Sequence, residues 1–163
     1  MIELRPAEPG EFGAVGELTA RAYLADGAIT PDDPYLELLR DAAARARGAE
    51  LWVAVDADGT LLGTVTRCPP GSPYRELGGE GEGEFRALAV APEGRGRGVG
   101  ARLVELCLER AVADGASSMV ISTARWMTAA HRLYRRLGFT PAPERDWWPR
   151  ADVHLMAFVR PLP

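Results

Sequence analysis

The chain has 163 residues, 47 % of them hydrophobic and 26 % charged, with a formal net charge of −4. That is enough for one domain, residues 1–163, with a substantial core, and it excludes a disordered chain and a globally basic nucleic-acid binder. All 19 basic residues are arginine, and lysine, asparagine and glutamine are absent, which rules out a lysine-dependent phosphate loop, a lysine Schiff base and a lysine nucleophile.

The opening "MIELRPAEPGEF" is acidic and has no long apolar run. It reads as neither a secretion signal nor a membrane span, so a soluble cytoplasmic protein is expected. "IELRPA" (2–7) predicts a short strand. Apolar residues at 12, 15, 18, 22 and 23 predict a helix over 10–24. A loop over 25–34 follows, and Asp33-Pro34 opens a second helix, "YLELLRDAAARAR". "LWVAVD" (51–56) and "TLLGTVTRC" (60–68) form a hairpin whose turn is Asp58-Gly59. A polar connection over 69–84 leads to the strand "EFRALAV" (84–90). Period-2 alternation there puts Glu84, Arg86, Leu88 and Val90 on one face.

A strong helix over 98–115 stops at Asp114-Gly115, and Cys107 on its apolar face is expected to be a buried thiol. A strand over 117–123, a helix over 128–138, a short strand "FTPA", a loop "PERDWWPR" and a last strand over 151–159 complete the chain. His131 is expected on the exposed side of its helix. Neither histidine has a cysteine or carboxylate cluster at ligand spacing, so no metal is expected. The order β α α β β β α β α β β predicts a mixed α/β (α+β) architecture with six or seven strands and about four helices.

The most informative stretch is "ALAVAPEGRGRGVGARL", 87–103. A strand ends at a proline, glycine and arginine alternate, and a helix begins. Helix N-termini leave backbone N–H groups unpaired and carry partial positive charge. Glycines admit a phosphate close to the backbone, and Arg95 and Arg97 add donors. The combination suits a pyrophosphate. "GRGVGA" (96–101) also satisfies the dinucleotide pattern G-x-G-x-x-G/A. That motif requires the glycines to follow the strand closely and an acid to close the next strand. Here five residues intervene and the acid is missing.

Arg95-Gly96-Arg97-Gly98-Val99-Gly100 after the strand "LAV", together with "AAHRLYRRLGF" (129–139), resembles the GCN5-related N-acetyltransferase (GNAT) superfamily. The resemblance implies a mostly antiparallel central sheet and an acetyl-CoA-dependent N-acetyltransferase. It implies that Arg95, Gly96, Arg97, Gly98, Val99, Gly100 and Ala101 receive the coenzyme's pyrophosphate. Backbone groups of Leu88, Ala89 and Val90 would hold the pantetheine arm and supply an oxyanion donor. Tyr134 is the implied acid for the leaving thiolate and Glu84 a candidate general base. Met127 stands where relatives often have asparagine, removing one polar contact to the arm.

The acceptor is expected to be a small-molecule amine, with a protein amine as the alternative and a non-catalytic coenzyme A sensor as a second class. Trp147 and Trp148 suggest a pocket wall or aromatic lid, or else a sheet-base or dimer contact. A homodimer is the commonest assembly for such chains.

Overall fold

A computed structural model describes residues 1–27 and 29–163. Strand β1 (Ile2–Pro6) pairs antiparallel with β2 (Glu50–Asp56), β2 with β3 (Leu61–Cys68), and β3 with β4 (Glu82–Val90). β4 then runs parallel to β5 (Ser118–Ala124), and β8 (Val153–Pro161) returns antiparallel to β5. β6 (Thr140–Pro141) and β7 (Trp147–Arg150) both pair with β8, giving an eight-stranded, mostly antiparallel sheet. The eighth strand, β7, lies in the segment expected to be a loop.

Among the described residues five helices flank the sheet: α1 (Phe12–Ala25), α2 (Tyr35–Arg40), α3 (Ala42–Gly48), α4 (Val99–Ala113) and α5 (Thr128–Arg136). The expected single helix after Pro34 is two. Asp41 takes a non-helical ψ of 65° and its carboxylate accepts from Ala44 N at 3.1 Å, so an aspartate inside the run ends α2 and caps α3. The loop expected over 25–34 is present apart from residue 28, which lies outside the described residues.

One core lies between the sheet and α4 and α5, around Phe85, Leu103, Cys107, Ile121, Phe139 and Phe158. A second lies on the opposite face, where Val15 of α1 and Ala42 of α3 pack on Leu51, Val53 and Val55 of β2. Cys68 and Cys107 are free and buried, and burial pushes the Cys68 thiol up to about 12. Among the described residues no helix is long and apolar enough to cross a membrane.

The sheet divides at its centre. β4 and β5 pair only over Glu82–Glu84 and Ser118–Val120, and beyond that point the two strands diverge. β4 also carries a bulge. The register shifts between Thr64 and Thr66, and Ala87 adopts φ +54°. The extra residue re-aims the strand, so the simple alternation expected for 84–90 breaks. Phe85, Leu88 and Val90 all pack on the first core.

Candidate active site

The divergence of β4 and β5 opens a cavity of about 370 Å³. Phe85, Arg86, Ala87 and Leu88 form one wall and Ile121 to Ala124 the other. Tyr23 of α1 and Tyr35 and Leu38 of α2 roof it. Pro149, Arg150, Val153 and Leu155 of the β7–β8 hairpin close a third side, and Trp126, Met127 and Tyr134 complete the lining.

Tyr134 of α5 is 6 % exposed and packs edge-on against Phe85 at 6.0 Å, with Phe139 at 5.7 Å and Phe158 at 6.1 Å. Burial pushes its phenol above the usual tyrosine range, so it is fully protonated at neutral pH. Among the described residues its hydroxyl has no hydrogen-bond partner, and the residue lines the cavity.

The glycine-arginine loop follows β4 directly. Ala91 N donates to Leu62 O at 2.8 Å, and a 3-10 turn (Pro92–Gly94) carries the chain toward α4. Gly96 and Gly98 take φ of +72° and +73°, where a side chain is strained, and a Cβ at either would meet open space. It is conformation and not crowding that calls for glycine, and this backbone faces outward. Gly98 is the N-cap of α4 with no side-chain cap. The first intrahelical bond runs from Arg102 N to Gly98 O, which leaves the amides of Val99, Gly100 and Ala101 without helical acceptors. With Arg95 and Arg97 alongside, the arrangement fits a polyoxyanion.

Ala89 lies opposite Thr64 of β3, and Ala91 bonds the same strand. Alternation therefore turns the amide of Val90 to the side from which β5 has departed.

Glu84, Trp147, Trp148 and His131, all considered from the sequence, do not line the cavity. Glu84 is 1 % exposed; its carboxylate accepts backbone N–H groups of Glu76 (2.9 Å), Leu77 (3.1 Å) and Gly78 (2.7 Å). Trp148 stacks on His154 at 4.4 Å, held by an Asp146–His154 contact of 2.8 Å, and the buried Trp147 Nε1 has no partner among the described residues. His131 is buried, its ring 5.2 Å from Phe158 and its Nε2 3.0 Å from Ala124 O. A carbonyl only accepts, so Nε2 carries the proton, and burial lowers the ring's pKa. Met127 is the N-cap residue of α5 and lines the cavity, where it offers no capping hydrogen bond.

The cavity also contains residues the sequence did not single out: Tyr23, Tyr35, Glu76, Trp126, Arg150, and Arg86 in a catalytic setting. Arg86 donates to Tyr35 Oη at 2.7 Å and Tyr74 O at 3.2 Å. Asp33 accepts from Tyr35 N at 2.9 Å and from Arg150 at 3.1 Å. These contacts join α2, β4 and β7, which lie far apart in sequence, so no local pattern announced them.

A parallel strand pair thus parts beside a glycine-rich helix start, with a buried phenol at the fork. Residues 14–139, more than half of the chain, match the acetyltransferase (GNAT) family. The chain belongs to that family, and it is an N-acetyltransferase. It is similar to a GCN5-related N-acetyltransferase from Kribbella flavida at 27 % identity and TM-score 0.69, covering 99 % of this chain and 98 % of that one. A GNAT-family acetyltransferase from Staphylococcus aureus Mu50 shares the fold at TM-score 0.76 and 14 % identity over the whole of both chains. So does yncA from Salmonella typhimurium, solved with its cofactor acetyl-CoA, at TM-score 0.70 and 22 % identity over 100 % of this chain and 95 % of that one. No curated protein matches the chain by sequence.

Proposed function

We propose that the protein transfers the acetyl group of acetyl-CoA to the primary amine of a small molecule. The observation that carries this reading is the cavity at the β4–β5 split, enclosed by α1, α2 and the β7–β8 hairpin and lined by Tyr134. A roofed space of about 370 Å³ suits a small acceptor better than a protein segment.

The residues fit the coenzyme. The free amides of Val99, Gly100 and Ala101, the outward backbone of Gly96 and Gly98, and Arg95 and Arg97 hold its diphosphate. The β4 edge over Leu88–Val90 takes the amides of the pantetheine arm as an added strand would. A backbone amide at Leu88 or Val90 stabilises the oxyanion that develops at the acetyl carbonyl. The Tyr134 phenol gives its proton to the departing sulfur. Its raised pKa keeps that proton available across the physiological range. The free, buried Cys68 and Cys107 support a reducing, cytoplasmic setting.

The test combines calorimetry with acetyl-CoA and thiol-release assays over a panel of amines. Tyr134→Phe is expected to lower kcat by roughly 10²–10⁴-fold while the coenzyme Kd stays unchanged. Unchanged turnover in that variant removes the acid from Tyr134. Absence of acetyl-CoA binding at millimolar concentration removes the whole proposal.

A further inference from the structure

Glu76 lines the cavity and its side chain is 24 % exposed. Among the described residues no group donates a hydrogen bond to its carboxylate. The nearest cation, Arg86 Nη1, stands 3.7 Å away and directs its hydrogen bonds to Tyr74 O and Tyr35 Oη. The other cavity carboxylate, Asp33, is engaged by Tyr35 N and Arg150. Arg86 therefore ion-pairs with the Glu76 carboxylate without hydrogen-bonding it, which leaves the carboxylate's acceptor sites open to the cavity, and the segment that carries it is fixed. Glu84 grips the amides of residues 76, 77 and 78 from beneath. The rest of the cavity is largely aromatic and aliphatic: Tyr23, Tyr35, Leu38, Phe85 and Trp126.

We infer that the acceptor is a hydrophobic primary amine without a carboxylate of its own, and that Glu76 receives its ammonium group and takes one proton from it. The inference rests on the acetyl-transfer reading and names the acceptor class for the same site. A free amine of this kind has a pKa of about 10 and arrives as the ammonium ion. The missing donor at Glu76 is that ion's N–H, and the aromatic wall takes the apolar body, with cation–π contact available to the head. The arginines that would recognise an anionic acceptor already face Tyr35, Tyr74, Asp33 and Glu76 itself.

The protons balance as follows. The ammonium gives one proton to Glu76 and becomes a nucleophile. Its nitrogen attacks the thioester carbonyl, the C–N bond forms and the C–S bond breaks. The sulfur takes the Tyr134 proton, the second proton lost by nitrogen restores Tyr134, and Glu76 releases its own to water. One proton leaves per turnover. Burial raises the Glu76 carboxyl above the usual carboxylate range, Arg86 opposes the shift, and Glu84 adds to it. Tyr23 of α1, Tyr35 of α2, Tyr134 of α5 and the Asp33–Arg150 pair face the same space. A base above the ordinary range matches the task better than an unperturbed one.

The probe is 2-phenylethylamine. Calorimetry at pH 7 without coenzyme is expected to show binding to the wild type and at least tenfold weaker binding to Glu76→Gln. In a sample labelled with ¹³C at glutamate carboxyls, the resonance missing from Glu76→Gln is expected to shift on adding the probe. With acetyl-CoA present, Glu76→Gln is expected to lose at least 100-fold in kcat at pH 7 and to approach the wild type near pH 10, where the amine is neutral unaided. Equal probe binding by both proteins, or a rate deficit constant from pH 6 to 10, overturns the inference. So does a wild type that binds acetyl-CoA but not the probe. Probe binding that depends on Glu76, in a protein that takes up no acetyl-CoA, upholds the amine site and overturns the acetyl-transfer reading instead.

Discussion

Glu84 shows how one side chain organises a site it does not enter. Its carboxylate satisfies the amides of Glu76, Leu77 and Gly78, and removing it leaves three part-buried donors without that acceptor. At ~1–3 kcal/mol for each donor left unsatisfied, Glu84→Ala is expected to lower unfolding free energy by several kcal/mol in urea titration. A role as base would instead lower kcat with stability preserved. Gly98 makes a simpler case. Alanine there must hold φ near +73°, at a cost of roughly 1–2 kcal/mol, and it is expected to weaken acetyl-CoA binding along with stability, read by calorimetry and thermal melting. The glycine and tyrosine positions were legible because each answers a local requirement, a left-handed turn or a motif of fixed spelling. The placements of Glu84 and Glu76 were not, because a carboxylate's partners here are backbone amides and a cavity that exist only after folding.

At the scale of elements, Arg67 ties the two central hairpin strands to a helix. Its guanidinium, 5 % exposed, pairs with Glu50 of β2 at 2.7 Å and with Asp114 at the end of α4 at 2.8 Å. Arg67→Met leaves Asp114 without its partner, while Glu50 keeps Arg110 at 3.2 Å and Trp52 Nε1 at 3.1 Å. Breaking a buried pair costs ~3–5 kcal/mol, and because Glu50 and Asp114 are 31 % and 34 % exposed, the lower end of that range is expected. The hydrogen bond from Arg67 holds the Glu50 carboxyl down at about 2, from an ordinary 4.5. A depressed carboxylate pKa contributes stability above the unfolded value and loses it as pH falls. Melting temperature should therefore drop between pH 4.5 and 2 in the wild type, with a shallower slope in Arg67→Met. Strand and helix order followed from periodicity, capping residues and glycine stops. The misses have physical causes. Asp41 acts as a cap within an otherwise helical run. β7 is only four residues long and contains a proline, and a short edge strand depends on its partner more than on its own sequence. The bulge at Ala87 carries no glycine to announce it. His131 looked exposed because polarity was read without its partner, the Ala124 carbonyl.

For the whole molecule, the decisive feature is the interrupted β4–β5 pairing, since one break supplies both the unpaired strand edge and the acceptor cavity. The proposed coenzyme end of the site was legible in the glycine-arginine loop because it is built from consecutive backbone. The acceptor end draws on α1, α2, the 76–78 loop, β5 and the β7–β8 hairpin, so chain order gave no sign of it.

The Asp33–Arg150 contact spans the mouth between the helical roof and that hairpin. Arg150 is 49 % exposed and Asp33 only 11 %, so the pair meets water on one side alone and added salt screens it less than a fully exposed one. Helix and hairpin are thereby fastened across the opening by a charge that ionic strength weakens without erasing.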